Sequence, residues 1–350
     1  MNVLMITQSE MPALLPMREC IDVVARVLET VARGEAVLPL RQQVVLPDGS
    51  GRLVQMPAFA ASPPALGVKV ITVFPGNEGT DVDSHQGAVL LFDPADGRLL
   101  AVMDASSITA IRTAAASAVA TRLLAREDAA ELAILGSGVQ ARTHVEAMLC
   151  VRPIRRVRVW SRTPAHARAF AREAEARHGI PVEPVSGARD AVAGADVVCT
   201  VTSAREPILR GEWVPPGAHV NAVGSSTRDH RELDAEAVRR SRLYVDRRES
   251  ALAEAGDFLL ARAEGAVDDG HIVGEIGDII AGGLEGRRSA GEITLFKSVG
   301  IAVEDLAAAH HVYESAIAGG GVTVLDLGGS RGREAGPSAT APRLPPVGSG

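Results

Sequence analysis

Two groups of residues in this chain have types and spacings that could do chemistry. The first lies in LAILGSGVQARTHVEAM, residues 132–148, where Gly136-Ser137-Gly138 stands between a strand-like run and a helical one, with Ala141 at the third small position. A first glycine permits a tight turn, a second lets backbone amides approach a pyrophosphate, and a third small residue lets helix and strand pack closely. The order strand, turn, helix, followed by VRVWSRT at the distance of a second strand, predicts a dinucleotide site at Gly136, Ser137, Gly138 and Ala141, with Val139 and Gln140 between them. The end of that second strand then discriminates between nicotinamide cofactors. An acid there would hold a ribose 2′-hydroxyl and repel a 2′-phosphate. Here the stretch is Ser161-Arg162-Thr163, without an acid, which favours NADP(H) and leaves NAD(H) as the alternative.

The second group is three cations in apolar sequence: Arg41 at the head of RQQVVLP, Lys69 in the middle of ALGVKVITVF, and Arg112 early in SSITAIRTAAASAVAT. A buried cation is costly unless an anion accompanies it. A substrate carboxylate is one such anion, and a structural acid such as Asp104 is another; spacing alone leaves both open. His85 in DSHQGAVLL reads as a structural histidine before a strand. Glu254 in ALAEAGD and the pair Glu304-Asp305 in GIAVEDL read as helix-surface or capping acids. No histidine, cysteine or carboxylate spacing resembles a metal-ligand set, so no metal is expected. Gly224-Ser225-Ser226 lacks the GxSxG frame of a nucleophile elbow.

These residues need elements to position them. Residues 16–34 keep a helical apolar spacing, and five strand-like runs separated by Asp-Gly and Gly-Asn turns predict an antiparallel sheet over about 35–105. A long small-residue helix follows, with a serine or threonine near its start as the expected cap. From Glu131 the runs ELAIL, RVRVW, DVVCTV, HVNAVG and RLYVD alternate with helical segments, the rhythm of a doubly wound parallel sheet. A last helix over about 300–318 is expected to return to the first unit. The expected division is a discontinuous α+β substrate and dimerisation domain at 1–112 and 300–328, a Rossmann α/β domain at 113–299, and a disordered Gly, Pro and Ser-rich tail at 329–350.

Composition narrows the function classes. With 350 residues, 46% of them hydrophobic, the chain has length for two domains. A net charge of −7 and 3% aromatics argue against a nucleic-acid partner. No uncharged stretch approaches the roughly 18 residues of a membrane span. Cys20, Cys150 and Cys199 are scattered and read as core thiols of a reducing compartment, so a cytoplasmic location is expected.

Several ordered stretches together resemble the ornithine cyclodeaminase/mu-crystallin family from about Leu38 to Gly319: LLAVMDASSITAIRTAAASAVAT, AILGSGVQA, VWSRT, GEWVPPGAHVNAVGSS, RELD, LYVD, AEAGD and ITLFKSVGIAVEDLAAA. The resemblance implies a homodimer acting on a small cyclic imino acid or amino acid. It places Arg41, Lys69 and Arg112 at substrate-carboxylate and catalytic positions, with Arg112 also near the cofactor. Ser161, Arg162, Thr163, Thr202 and Val223 fall at cofactor positions beside the glycine turn, with Ser84, His85 and Ser298 near the nicotinamide and Ser226 and Glu254 at the pocket wall.

Activities known in the family are ketimine reduction, ornithine cyclodeamination and alanine dehydrogenation, beside hormone binding by mu-crystallin. One departure separates them. The cyclodeaminases carry an aspartate in the turn where this chain has Ser226, and an acid where it has Arg162. Both differences point to a ketimine reductase, in which Arg41 and Arg112 hold the substrate carboxylate and Lys69 supplies the proton.

Overall fold

The computed structural model describes residues 2–77 and 79–328; the tail at 329–350, expected to be disordered, lies outside the described residues. Its first sheet contains β1 (Asn2–Ile6), β2 (Ala36–Val37), β3 (Gln42–Val45), β4 (Arg52–Ala61), β5 (Pro64–Val73), β6 (His85–Phe92) and β7 (Leu99–Asp104). The spatial order is closing strand Thr323–Asp326, β1, β7, β6, β5, β4, β2, with β3 also on β4. Strands β4 to β7 are antiparallel neighbours, as their turn-separated alternation predicts. Strand β1 and the closing strand are additions that the sequence did not announce, and β1 runs parallel to β7.

Three helices cover one face of this sheet. Helix α1 (Met17–Ala32) is amphipathic and buries Met17, Cys20, Ile21, Val24, Val27 and Leu28. Helix α2 (Ala105–Leu124) is buried on nearly every side, and its run of alanines lets neighbours approach closely. Its cap is Asp104, whose carboxylate accepts the Ser107 amide at 2.7 Å, rather than the expected serine or threonine. Aspartate caps as well as serine, and its position at the end of β7 puts it where the chain turns. The expected boundary between residues 112 and 113 falls inside this helix.

The second sheet is entirely parallel: β8 (Glu131–Leu135), β9 (Arg156–Trp160), β10 (Val182–Pro184), β11 (Val197–Thr200), β12 (His219–Ala222), β13 (Arg242–Val245), β14 (Ile272–Glu275) and β15 (Thr294–Lys297). Its order, β10-β9-β8-β11-β12-β15-β13-β14, is the doubly wound arrangement, with the switch point between β8 and β11. Helix α3 (Val139–Val151) follows β8. Helix α4 (Arg248–Glu254) follows β13, and the last helix, α5 (Ala302–Gly319), packs on β4, β5 and β6 of the first sheet. Among the described residues no helix is long and apolar enough to cross a membrane.

Candidate active site

Strand alternation decides where the Lys69 side chain goes. On β5, Ala65, Gly67, Lys69 and Val73 are the buried, inward positions, and Lys69 lies across from Met56 of β4 and Val89 of β6. Its ammonium is 2% exposed. There it meets Asp305, Nζ to Oδ2 at 2.7 Å, and donates to Thr109 Oγ1 at 3.3 Å. The other oxygen of Asp305 accepts from Arg112 Nε at 2.8 Å, and Arg112 Nη1 donates to Glu304 Oε2 at 2.8 Å. One carboxylate thus serves two cations.

Glu304 and Asp305 are therefore not the surface or capping acids that their sequence context suggests. They are fully buried in the first turn of α5. Two buried cations require anions beside them, and the positive end of a helix is a favourable place to keep anions. Asp104, the acid that seemed available to pair with a cation, is occupied as the α2 cap.

Arg41 lies just before β3 rather than in it. Its Nε pairs with Glu254 Oε2 at 2.8 Å, and Nη2 donates to the carbonyls of Val299 at 2.6 Å and Gly300 at 2.9 Å. Glu254, read from sequence as a surface or capping acid, is in fact the half-buried counter-ion of this arginine at the end of α4. The segment after β15 joins the two arginines. Gly300 has φ +75°, and a Cβ there would stand 2.6 Å from Arg112 Nη1. Asp246, at the end of β13, fixes that segment by accepting the amides of Val299 at 2.8 Å and Gly300 at 2.7 Å. A small cleft opens here, lined by Leu38, Arg41, Met56, Glu254, Gly300 and Ile301 among others.

The electrostatics follow from this packing. Burial pulls the Lys69 pKa down, Asp305 opposes the change, and Arg112 and Arg41 add to it; the result is about 8. Burial would raise Asp305, but the two cations touching it hold it below the usual carboxylate range. The two partners shift in the same direction for different reasons: burial lowers Lys69 against the pull of Asp305, and the two cations beside Asp305 outweigh its burial. Burial pushes Glu304 up to about 8 despite Arg112, and its Oε1 has no hydrogen-bond partner among the described residues. Burial likewise raises Glu254, against the pull of Arg41.

The dinucleotide residues gather at the carboxyl ends of the parallel strands, where an open α/β sheet binds its ligands. Gly136 follows β8 with φ +129°, and a Cβ there would lie 2.7 Å from the Val201 carbonyl, so only glycine fits the turn. Space above Gly138 is open, and the first turn of α3 carries no side-chain cap, so its amides are available to a phosphate. Ser137 Oγ donates to Ser161 Oγ at 3.0 Å and ties the glycine turn to the end of β9; Arg162 and Thr163 are exposed beside it. These residues fit a dinucleotide.

Thr202 and Val223 follow β11 and β12. Their turns are held from below by Glu232, a residue that sequence reasoning did not single out. Glu232 is buried and accepts from Thr200 Oγ1, Thr202 N, Thr202 Oγ1 and Gly224 N, all within 2.8 Å. Asp257 in turn accepts the Glu232 amide at 2.7 Å and pairs with Lys297 at 2.9 Å.

Other predicted residues are placed more loosely. Ser298 is buried, with Oγ 3.4 Å from Asp246 Oδ2. Ser84 Oγ lies 3.0 Å from His85 Nδ1, and burial, with Arg52 and Lys69, holds the His85 pKa below its usual value. Ser226 sits half-buried in the turn after β12, and among the described residues no hydrogen bond or ion pair joins it to the cation cluster. The acids that the sequence did not reveal carry a compositional mark. Of the 36 basic residues only two, Lys69 and Lys297, are lysines, and each is buried against an aspartate.

Comparison with known proteins places this geometry. The model of the ornithine cyclodeaminase/mu-crystallin family matches residues 1–320, starting earlier than the motifs at Leu38 suggest. Ketimine reductase mu-crystallin of Mus musculus is 48% identical over 282 residues, 81% of this chain and 86% of that protein. A Delta(1)-pyrroline-2-carboxylate reductase of Bacillus cereus is 37% identical over 315 residues, 90% of this chain and 97% of its own length. The solved structure of Thermococcus litoralis Delta(1)-pyrroline-2-carboxylate reductase, in complex with NADH and L-proline, superposes with a TM-score of 0.90 at 41% identity. It covers 92% of this chain and 99% of that one.

Replacing Gly136 with alanine forces an unfavourable φ and a clash with the Val201 carbonyl. G136A is expected to weaken NADPH and NADH binding by about tenfold or more, read by titration of dihydronicotinamide fluorescence, while circular dichroism stays native.

Proposed function

The chain belongs to the ornithine cyclodeaminase/mu-crystallin family, and on that premise we propose that it reduces a cyclic ketimine, Δ1-pyrroline-2-carboxylate or Δ1-piperideine-2-carboxylate, to L-proline or L-pipecolate. It is an oxidoreductase of C=N bonds that uses a nicotinamide cofactor, NADP(H) in preference to NAD(H). The observation that carries this reading is Lys69: an ammonium buried inside the fold against Asp305, which also holds Arg112, with the charge of Arg41, a residue of the cleft wall, acting on it. The two reductase relatives and the L-proline in the Thermococcus litoralis complex support the same substrate class.

When bound, the nicotinamide supplies the hydride that the imine carbon receives. The residues of this chain do the rest. Arg41 and Arg112 bind the substrate carboxylate and orient the ring, with their own positions fixed by Glu254 and by Glu304 and Asp305. Lys69 donates a proton to the imine nitrogen, so that nitrogen accepts the C=N electron pair as an amine rather than as an anion. Ser226 and Glu254 line the wall. Ser226 offers no carboxylate of the kind the cyclodeaminases use, which disfavours ornithine as substrate. Two copies of the chain form the working unit in this reading.

Oxidation of NADPH, followed by loss of its absorbance with either imine, tests the proposal directly; ammonia release from L-ornithine without imine reduction would refute it. A protonated Lys69 is the active form, so kcat/KM for the imine is expected to hold below pH about 8 and to fall as pH rises through that value.

Lys69→Ala should lose turnover by about a hundredfold or more while cofactor affinity is retained, the scale of a lost general acid. An active K69A would remove this side chain from the mechanism. Arg162→Asp should reverse the preference from NADPH toward NADH by about tenfold or more, since it replaces a phosphate partner by a repelling charge. Comparison of kcat/KM for the two cofactors measures it.

A further inference from the structure

We propose that Asp305 is a positioning residue of the imine reduction, acting through Lys69: its carboxylate bridges Lys69 and Arg112 and keeps the Lys69 ammonium protonated and aimed at the substrate nitrogen. The proposal rests on the ketimine reading above and goes beyond it, because it concerns the group behind the proton donor rather than the donor.

The geometry is specific. Asp305 divides its two oxygens, Oδ2 to Lys69 Nζ at 2.7 Å and Oδ1 to Arg112 Nε at 2.8 Å. The proton donor and a carboxylate clamp are therefore set at a fixed separation by one rigid side chain on the first turn of an 18-residue helix. At 2.7 Å from Nζ, Asp305 Oδ2 holds Lys69 by charge and by hydrogen bonding together.

The charges facing Lys69 make Asp305 the decisive one. Arg112 from α2 and Arg41 from the chain before β3 favour loss of the proton, as does burial. His85 from β6, with Arg52 of β4 behind it, stands on the same side of the sheet electrostatically. Glu304 lies beyond Arg112, where it is bonded, with Cys20 of α1, Asp246 and Glu254 farther back. Thr109 is the remaining hydrogen-bond partner of Nζ and is uncharged. Asp305 is the only carboxylate that touches the ammonium among the described residues. Without its charge, two guanidiniums and a low-dielectric setting are left to expel the proton.

Lysine composition makes this measurable. The chain has only Lys69 and Lys297, so protein labelled with carbon-13 at lysine Cε gives two side-chain signals, with Lys297 as internal reference. In wild type and Asp305→Asn, the pH titration of the Lys69 signal is followed beside the pH profile of kcat/KM for imine reduction under saturating NADPH. The expected result is a Lys69 midpoint lowered by about one to three pH units in D305N, with the alkaline limb moving down by the same amount. Substrate ionisation is common to both proteins and cancels. Asp305→Glu should recover most of the shift, and NADPH affinity should stay within about twofold of wild type.

An unchanged Lys69 midpoint with an unchanged limb, whatever the loss in kcat, would overturn the proposal and leave Asp305 a structural residue. Should D305N fail to fold, Asp305→Ala supplemented with formate replaces it, and recovery of the wild-type limb by formate is the expected result. Failure of both variants to give NADPH-binding protein would likewise assign Asp305 to the fold alone. If wild type does not reduce imines at all, the functional reading fails, and the Lys69 titration still reports whether Asp305 holds the proton.

Discussion

An ammonium and a guanidinium buried within a few ångströms of each other repel, and neither can remain charged away from water unless negative charge is built into the same space. Here that charge comes from two consecutive residues, Glu304 and Asp305, at the start of the last helix. Successive positions on a helix point about 100° apart, so the two carboxylates reach different edges of one guanidinium, and Asp305 still has an oxygen left for Lys69. Much of the first sheet's architecture serves this meeting. Strand β5 must present an inward lysine, α2 an inward arginine, and α5 must lie across both with its amino end over the cluster. Removing one partner from such a pair leaves a buried charge uncompensated, a loss of about 3–5 kcal/mol in general. The cluster therefore holds the helices in register while it holds the side chains in place.

The second sheet solves a related problem with the same means. The turns after β11 and β12 must expose backbone to a dinucleotide without moving, and Glu232 pins both from inside the fold with four accepted hydrogen bonds. Asp257 orients Glu232 and neutralises Lys297. Asp246 holds the segment that follows β15, and that same segment offers its carbonyls to Arg41 and its glycine face to Arg112. Residues 298–300 are thus the mechanical joint between cofactor edge and cation cluster. Glycine at 300 is required twice there, once by its positive φ and once by the guanidinium that packs against it.

How much of this was legible in the sequence depended on whether the signal was local. The parallel sheet, the glycine turn and the covered face of β5 are periodicity and turn chemistry within a few residues, and they were readable. So were the cations, as charges in apolar runs. The acids were harder because they are adjacent in sequence, and an adjacent acidic pair at the head of a helix reads as capping or solvated surface. The rule that found Lys69 applies equally to VEDLAAA: a charge followed by unbroken alanine and leucine needs a buried partner. Asp104 misled for the opposite reason, since its cap to Ser107 is local and satisfied it. Strands β1 and Thr323–Asp326 pair with each other across the length of the chain, and no local pattern announces such a partner. Lysine scarcity was a further signal. Where nearly every cation is arginine, the two lysines are compact, titratable ammonium groups in buried sites, each against an aspartate.

The charge of the cluster near neutral pH bears on what it can receive. Lys69, Arg112 and Arg41 share this space with Asp305, Glu304 and Glu254, and with Asp246 behind them. Glu304 is pushed up to about 8 by burial, with Asp246 and Asp305 adding to the push and Arg112 only partly offsetting it. Burial thus favours the neutral form of Glu304 as it favours the neutral form of Lys69, also at about 8, and the two protons are held in one network. As pH rises through about 8 Lys69 loses its proton, and the proton donor disappears with it. Donation of the proton is thereby tied to a buried balance of charge in which the Glu304-Asp305 pair takes part.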